Sequence, residues 1–304
     1  MSLIAKLARY DVPVLIEGET GTGKELAARA IHYSGRRSAH PFIPVNCGAV
    51  PDTLFESELF GHRRGAFTGA GDDQPGLVVL AHRGTLFLDE VDSLTLKGQV
   101  SLLRFLQDQQ YRPVGGGSVR QADVRVIAAS NQSLDEQAAA GQFRHDLFYR
   151  LKLMHVRVPP LRERQGDARV LAEHFMHTAS GRFDKPAKAF AIETLAWFDQ
   201  YAWPGNVREL EHLVYREFLL SDDKQLRIPP PAEGQLTLTT YGSVPTYKQA
   251  KAAAIEAFER QFLTTLMAQS RGCISTAARL VHTERRHLGK LLKRYGIDPV
   301  RLRA

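Results

Sequence analysis

Cysteine is scarce in this chain. Two stand among 304 residues, Cys47 and Cys273, far apart in sequence. That spacing makes no disulfide framework and matches no metal-ligand pattern. A reducing cytoplasm is the expected compartment. Long apolar runs are missing too: none approaches the ~18 residues of a bilayer span. The opening Met1-Ser2-Leu3-Ile4-Ala5-Lys6 lacks the basic-then-apolar order of a signal peptide. No internal repeat is evident, and 43% hydrophobic with 24% charged residues excludes a collagen-like or disordered chain. The length fits two or three domains.

Surplus charge is lacking everywhere except at the end. Residues 271–304 hold nine Lys/Arg against Glu284 and Asp298, which is the whole net charge of +7. The preceding 270 residues balance. A basic tail on a neutral body points to a polyanion partner for the tail alone; a solvated basic helix is the plainer alternative.

The first 160 residues read as alternating strands and helices. Strands are expected at Val14-Leu15-Ile16, around Pro41–Asn46, at Gly84–Leu88, at Val124–Ala129 and at Lys152–Val158, with a helix from Glu25 to Tyr33. This order implies a parallel sheet with helices on both faces, and ligands gather at the carboxyl ends of such strands. From 161 to 222 the strand signal vanishes and helical patterns such as Arg169–Ser180 and Ile192–Tyr201 take over, as in a small all-helical subdomain. Residues 223–246, with Pro229-Pro230-Pro231 and Gly234, read as a linker. A last helical block spans 247–304, with Ile255, Phe258, Phe262 and Leu266 as an apolar stripe.

Two segments carry chemistry. Gly18-Glu19-Thr20-Gly21-Thr22-Gly23-Lys24-Glu25 lies between a strand and a helix, where backbone amides and the helix N-terminus cradle phosphate and Lys24 reaches its outer oxygens. The general pattern ends in Ser or Thr for magnesium; here Glu25 stands there. Downstream, Leu86-Phe87-Leu88 ends in Asp89-Glu90. Asp89 is the expected magnesium ligand beside ATP and Glu90 the residue that orients the attacking water. Ser130-Asn131 ends the next strand and offers an amide near that water.

At these residues the chain resembles the AAA+ family, and more closely the bacterial enhancer-binding proteins that activate sigma-54 RNA polymerase. Three stretches carry the resemblance: the loop Gly18–Glu25, where that family itself prefers the final Glu; Gly65-Ala66-Phe67-Thr68-Gly69-Ala70, preceded by Glu56–Gly61; and Trp203-Pro204-Gly205-Asn206-Val207-Arg208-Glu209-Leu210. The fold implied is an AAA+ α/β P-loop sheet, an all-helical lid and a helix-turn-helix domain. The resemblance implies that Asn46 is a switch on Glu90, that Asn131 and Arg208 sense nucleotide, and that Arg144 and Arg150 are arginine fingers facing a neighbour's phosphate. It implies rings of six, formed from dimers. Gly65–Ala70 would contact sigma-54, accompanied by a second loop in Arg112–Val119. Family members carry a further segment before the first strand; here only Leu3–Asp11 precede it, with no receiver or sensory domain, so a piece of a longer chain and a protein regulated in trans both stay open.

The tail resembles a Fis-type helix-turn-helix. Ser275 is expected to cap a helix beginning at Thr276, and Thr283 a second one. From the second, Arg285, Arg286, His287, Lys290, Lys293 and Arg294 would project into a DNA major groove, while Leu288, Leu291 and Leu292 face inward. His282 and Gly289 depart from the family pattern there. The expected function is an ATP-hydrolysing activator that binds upstream DNA and remodels the sigma-54 holoenzyme. The alternatives are an ATP-binding regulator that acts on ordinary polymerase without remodelling, and a different AAA+ remodeller such as an unfoldase.

Overall fold

The computed structural model describes residues 3–230 and, beyond them, residues 263, 266, 267, 270, 273–281, 283 and 285–294. The chain divides into two units, 1–235 and 236–304.

The first unit is built on five strands: β1 (Val14–Glu17), β2 (Phe42–Asn46), β3 (Thr85–Asp89), β4 (Arg125–Ser130) and β5 (Met154–Arg157). They pair in the order β2-β3-β4-β1-β5, all parallel. The expected strands agree with these to within two residues. Alternation splits β1 to β4 between two cores, while the edge strand β5 gives Met154 and Val156 to one of them only. Leu86 and Leu88 of β3 enter one with helices Leu96–Asp108 and His145–Leu151. Phe87 enters the other with helices Leu3–Ala8 and Lys24–Tyr33. Burial on both faces is why the inner strands β1, β3 and β4 read as continuous apolar runs. The register pairs Asn46 with Asp89 and Glu17 with Ser130, so the carboxyl ends that carry the motifs share one edge.

Beyond β5 lie helices Asp167–Phe183, Ile192–Phe198 and Asn206–Leu220. They enclose a separate core with Phe198, Trp203, Leu210 and Phe218 fully buried. Residues 223–228, expected in the linker, fold with this lid instead. Gln225–Leu226 pair with Ala189–Phe190, and Leu226 and Ile228 are buried in the lid core. Two isolated apolar residues gave no periodicity by which to place them.

In the second unit, helices Ile274–Leu280 and Arg285–Arg294 pack Ala277, Leu288 and Leu292 around Leu266 and Met267, with Leu291 partly buried. The first of them begins earlier than expected: Cys273 is its N-cap and Ser275 lies exposed within it. The expected linker from 231 onward, Ile255, Phe258, Phe262, His282 and Glu284 fall outside the described residues, as do the side chains of Arg285, Arg286, His287, Lys293 and Arg294. Among the described residues no helix is long and apolar enough to cross a membrane.

Candidate functional site

The loop after β1 is tied to the sheet by Gly18 N–H donating to Ser130 O at 3.2 Å. Gly21 (φ 79°) and Gly23 (φ 97°) take the left-handed backbone that L side chains avoid, and the helix starts directly at Lys24. Lys24 is buried, and its Nζ donates to Gly18 O (2.7 Å), Glu19 O (3.1 Å) and Asn131 Oδ1 (2.6 Å). Burial pulls its pKa below the ordinary lysine value, against the opposing pull of Asp89, Asp92 and Glu90. Burial likewise raises Asp89, against the attraction of Lys24. Glu25 is exposed and pairs with Arg29 one helical turn on, at 2.7 Å.

At the end of β3 the chain turns sharply: Glu90 sits at φ 55° and its N–H donates to Asp89 Oδ1 at 3.0 Å. A Cβ added to Gly48 would lie 2.6 Å from Glu90 Oε2 and 3.3 Å from Asn46 Oδ1. Glycine there lets both side chains share one space. Asn46 Oδ1 accepts from Ala49 N–H (3.0 Å), and Asn131 N–H donates to Asp92 Oδ1 (3.2 Å). Lys24, Asp89, Glu90, Asn46 and Asn131 thus converge at one sheet edge. Cys47 lies beneath them, and burial pushes its thiol up to about 12. Among the described residues no cluster of three His, Cys, Asp or Glu could cage a metal alone. The half-buried Asp89 carboxylate fits the other mode, in which one carboxylate shares magnesium with substrate phosphates.

The lid meets this loop directly. Asn206 Nδ2 donates to Thr20 O (3.0 Å) and Glu19 Oε2 (3.2 Å), and Val207 N–H donates to Gly21 O (3.0 Å). A Cβ on Gly21 would stand 2.4 Å from Gly205 O and 3.2 Å from Arg208 Cβ. That places Arg208 beside the loop. Arg162 grips the Glu19 carboxylate (2.5 and 2.8 Å), and Arg164 donates to Thr22 O (2.9 Å). The hydrogen bond from Arg162 holds Glu19 down to about 2 against the opposing effect of burial. Asn206, Arg162 and Arg164 were not singled out from sequence, although Asn206 stands inside a quoted motif. Arg144 and Arg150 are both exposed. Arg144 forks onto Asp146, and Arg150 caps Leu106 O (3.0 Å) and Gln107 O (3.3 Å) at a helix end.

The segment Gly65–Ala70 is a tip on a two-stranded ribbon, Gly61–His62 with Gln74–Pro75. Its bonds are mainly backbone: Gly65 N–H to Ala70 O (2.9 Å) and Ala70 N–H to Phe67 O (3.0 Å). Arg63 pairs with Asp73 at its base. Phe67 is 37% exposed with one edge on His62 (5.0 Å), and Thr68 is exposed. At the neck, a Cβ on Gly76 would lie 2.3 Å from Gly61 N, so the two strands cross backbone on backbone. The Arg112–Val119 segment leans on this tip: Arg63 N–H donates to Val114 O (3.0 Å), and a Cβ on Gly115 would come within 2.8 Å of Ala66 Cβ.

Comparison with known proteins agrees with this geometry. The model of the sigma-54 interaction domain matches residues 1–157, and that of the AAA+ ATPase lid domain matches 162–229. The hydrogenase transcriptional regulatory protein HoxA of Bradyrhizobium diazoefficiens is 42% identical over 297 residues, 96% of this chain and 61% of that protein. The response regulator protein PilR of Pseudomonas aeruginosa is 42% identical over 304 residues, 97% of this chain and 67% of that protein. Crystalline NtrX from Brucella abortus in complex with ATP superposes with a TM-score of 0.76 at 34% identity, over 96% of this chain and 66% of that one. This chain therefore spans about half to two thirds of the length of such relatives. A parallel P-loop sheet, a docked helical lid and a sigma-54 interaction domain over residues 1–157 place it in the family of sigma-54-dependent transcriptional regulators built on an AAA+ ATPase-type domain.

Proposed function

We propose that this chain hydrolyses ATP at the Gly18–Glu25 loop and uses the cycle to remodel sigma-54 RNA polymerase holoenzyme into an open promoter complex, from an upstream DNA site in the bacterial cytoplasm. In this reading the loop amides and Lys24 bind the phosphates, and Asp89 would hold magnesium. Magnesium, when bound, supplies charge neutralisation on the phosphate oxygens. Glu90 orients the water that attacks the terminal phosphorus as the bond to the bridging oxygen breaks, leaving ADP and phosphate. Asn46 and Asn131 adjust Glu90 and the phosphate end, and Arg208 reports occupancy to the lid.

Arg144 and Arg150 are exposed, which suits them to a neighbouring copy in a hexamer assembled from dimers. Each would exchange its present partner for phosphate oxygens, making turnover depend on assembly. The helix Arg285–Arg294, on which Lys290 is exposed, would enter the major groove of DNA.

One observation carries the reading: a preorganised phosphate site shares its sheet unit with a tip on which the Phe67 ring is partly exposed and the Thr68 side chain exposed. The test is Thr68→Ala with purified protein, ATP, promoter DNA and sigma-54 polymerase. ATP turnover is expected to persist while open complexes vanish. Normal open-complex formation by this variant would refute the contact. Activation of ordinary polymerase without hydrolysis would favour a non-remodelling regulator.

A further inference from the structure

One side chain joins three pieces of the first unit. Asn206 is 0% exposed and its amide is fully used. Oδ1 accepts from Leu161 N–H (2.8 Å) where the sheet passes into the lid, and Nδ2 serves Thr20 O (3.0 Å) and Glu19 Oε2 (3.2 Å) of the phosphate loop. Its backbone, at φ 51°, is left-handed, which asparagine tolerates better than most residues. The next residue, Val207, donates its N–H to Gly21 O (3.0 Å), and Arg208 follows. One helix start therefore holds the loop by side chain and backbone together, and presents Arg208 to it.

We propose that Asn206 is a positioning residue: it fixes hinge and lid on the phosphate loop and so sets Arg208 for the nucleotide, with the Glu19–Arg162 pair as a second, exposed arm of the same clamp. Glu19 and Thr20 belong to the loop itself. A shift of that loop on nucleotide exchange would reach Leu161 directly through this amide, beside the Arg162–Glu19 and Arg164–Thr22 ties. By linkage, a clamp that favours nucleotide binding is itself tightened by the nucleotide. The kinetic part rests on the ATPase reading; the clamp does not.

The test uses the full chain and four variants: Asn206→Gly, Asn206→Asp, Arg208→Ala and the double Asn206→Asp/Arg208→Ala. Glycine keeps the positive φ and removes the amide. Aspartate keeps the acceptor for Leu161 but sets a carboxylate against Glu19 and the Thr20 carbonyl. Amide hydrogen exchange without nucleotide should show faster exchange at Val207 in both single Asn206 variants and at Leu161 in Asn206→Gly, with β1, β3 and β4 still protected. Affinity for a fluorescent ADP and KM for ATP should weaken about tenfold in Asn206→Asp, the range for residues coupled through direct contact. The double variant should be no worse than Arg208→Ala. Unchanged protection at Leu161 and Val207 in Asn206→Gly would overturn the clamp whatever the chain does with ATP. Independent, multiplying effects of Asn206→Asp and Arg208→Ala would overturn the positioning role. A parent chain that binds no nucleotide would sink the ATPase reading, while the exchange data still decide the clamp.

Discussion

The phosphate loop and the Gly65–Ala70 tip are both glycine turns, yet they are held in opposite ways. At the phosphate loop nearly every side chain is engaged: Lys24 makes three bonds, Glu19 is gripped by Arg162 and Asn206, and the lid closes over Gly21. At the tip the backbone bonds to itself, and the Thr68 side chain faces solvent. A small ligand of fixed shape rewards donors set in place beforehand. A macromolecular partner is met by side chains that still have bonding capacity to give.

The sharpest way to separate the two regions is Glu90→Gln. Steady-state turnover should fall roughly 10²–10⁴-fold, the scale of losing a positioned base, with ATP binding retained in equilibrium titration. Undiminished turnover would remove Glu90 from the site. Next comes a truncation pair. Phe87→Ala empties the fully buried position on β3 and should cost about 3–5 kcal/mol in urea unfolding. Phe67→Ala, on the tip, should stay within about 0.5 kcal/mol. A large stability loss at Phe67 would mean that the tip is structural.

Two glycines give a finer comparison, because Gly21 and Gly65 share a φ of 79° and 78°. Around Gly65 nothing lies within 4 Å of an added Cβ, so Gly65→Ala should cost only the backbone strain of about 1–2 kcal/mol. Gly21→Ala carries the same strain plus the 2.4 Å clash with Gly205 O, and should also weaken ATP binding by displacing the lid. Equal effects on ATP affinity would erase the distinction. The smallest effect concerns pH. Glu19 is held at about 2 in the fold against an ordinary 4.5, so its contribution is complete above pH 4.5 and is lost as pH falls toward 2. The stability difference between the parent and Glu19→Gln should shrink across that window. Its size is roughly 0–1 kcal/mol, because both partners are about 40% exposed.

The sheet was legible because its inner strands β1, β3 and β4 are buried on both faces, which leaves continuous apolar runs, two of them closed by Asp89-Glu90 and Ser130-Asn131. The phosphate loop was legible because glycine and lysine spacing is a local property. What escaped depends on residues far apart in sequence. Nothing near Asn206 announces that its amide meets Thr20, 186 positions away. Arg162 looks like one more surface cation until Glu19 is seen opposite it. The helix at Ile274 began earlier than Ser275 suggested because Ile274 joins the local core, which outweighs a side-chain cap. Residues 223–228 were misplaced because two apolar residues carry no period of their own.

The crossing of Gly61 and Gly76 has a consequence for engineering. With two backbones touching, the neck has no room for a side chain, and the head beyond it is anchored as well by His62 Nδ1 against Ser57 Oγ (2.8 Å) and by Arg63 N–H on Val114 O (3.0 Å). A swap that exchanges only residues 64–72 spares His62, Arg63 and Asp73, and should leave the sheet and its melting temperature intact.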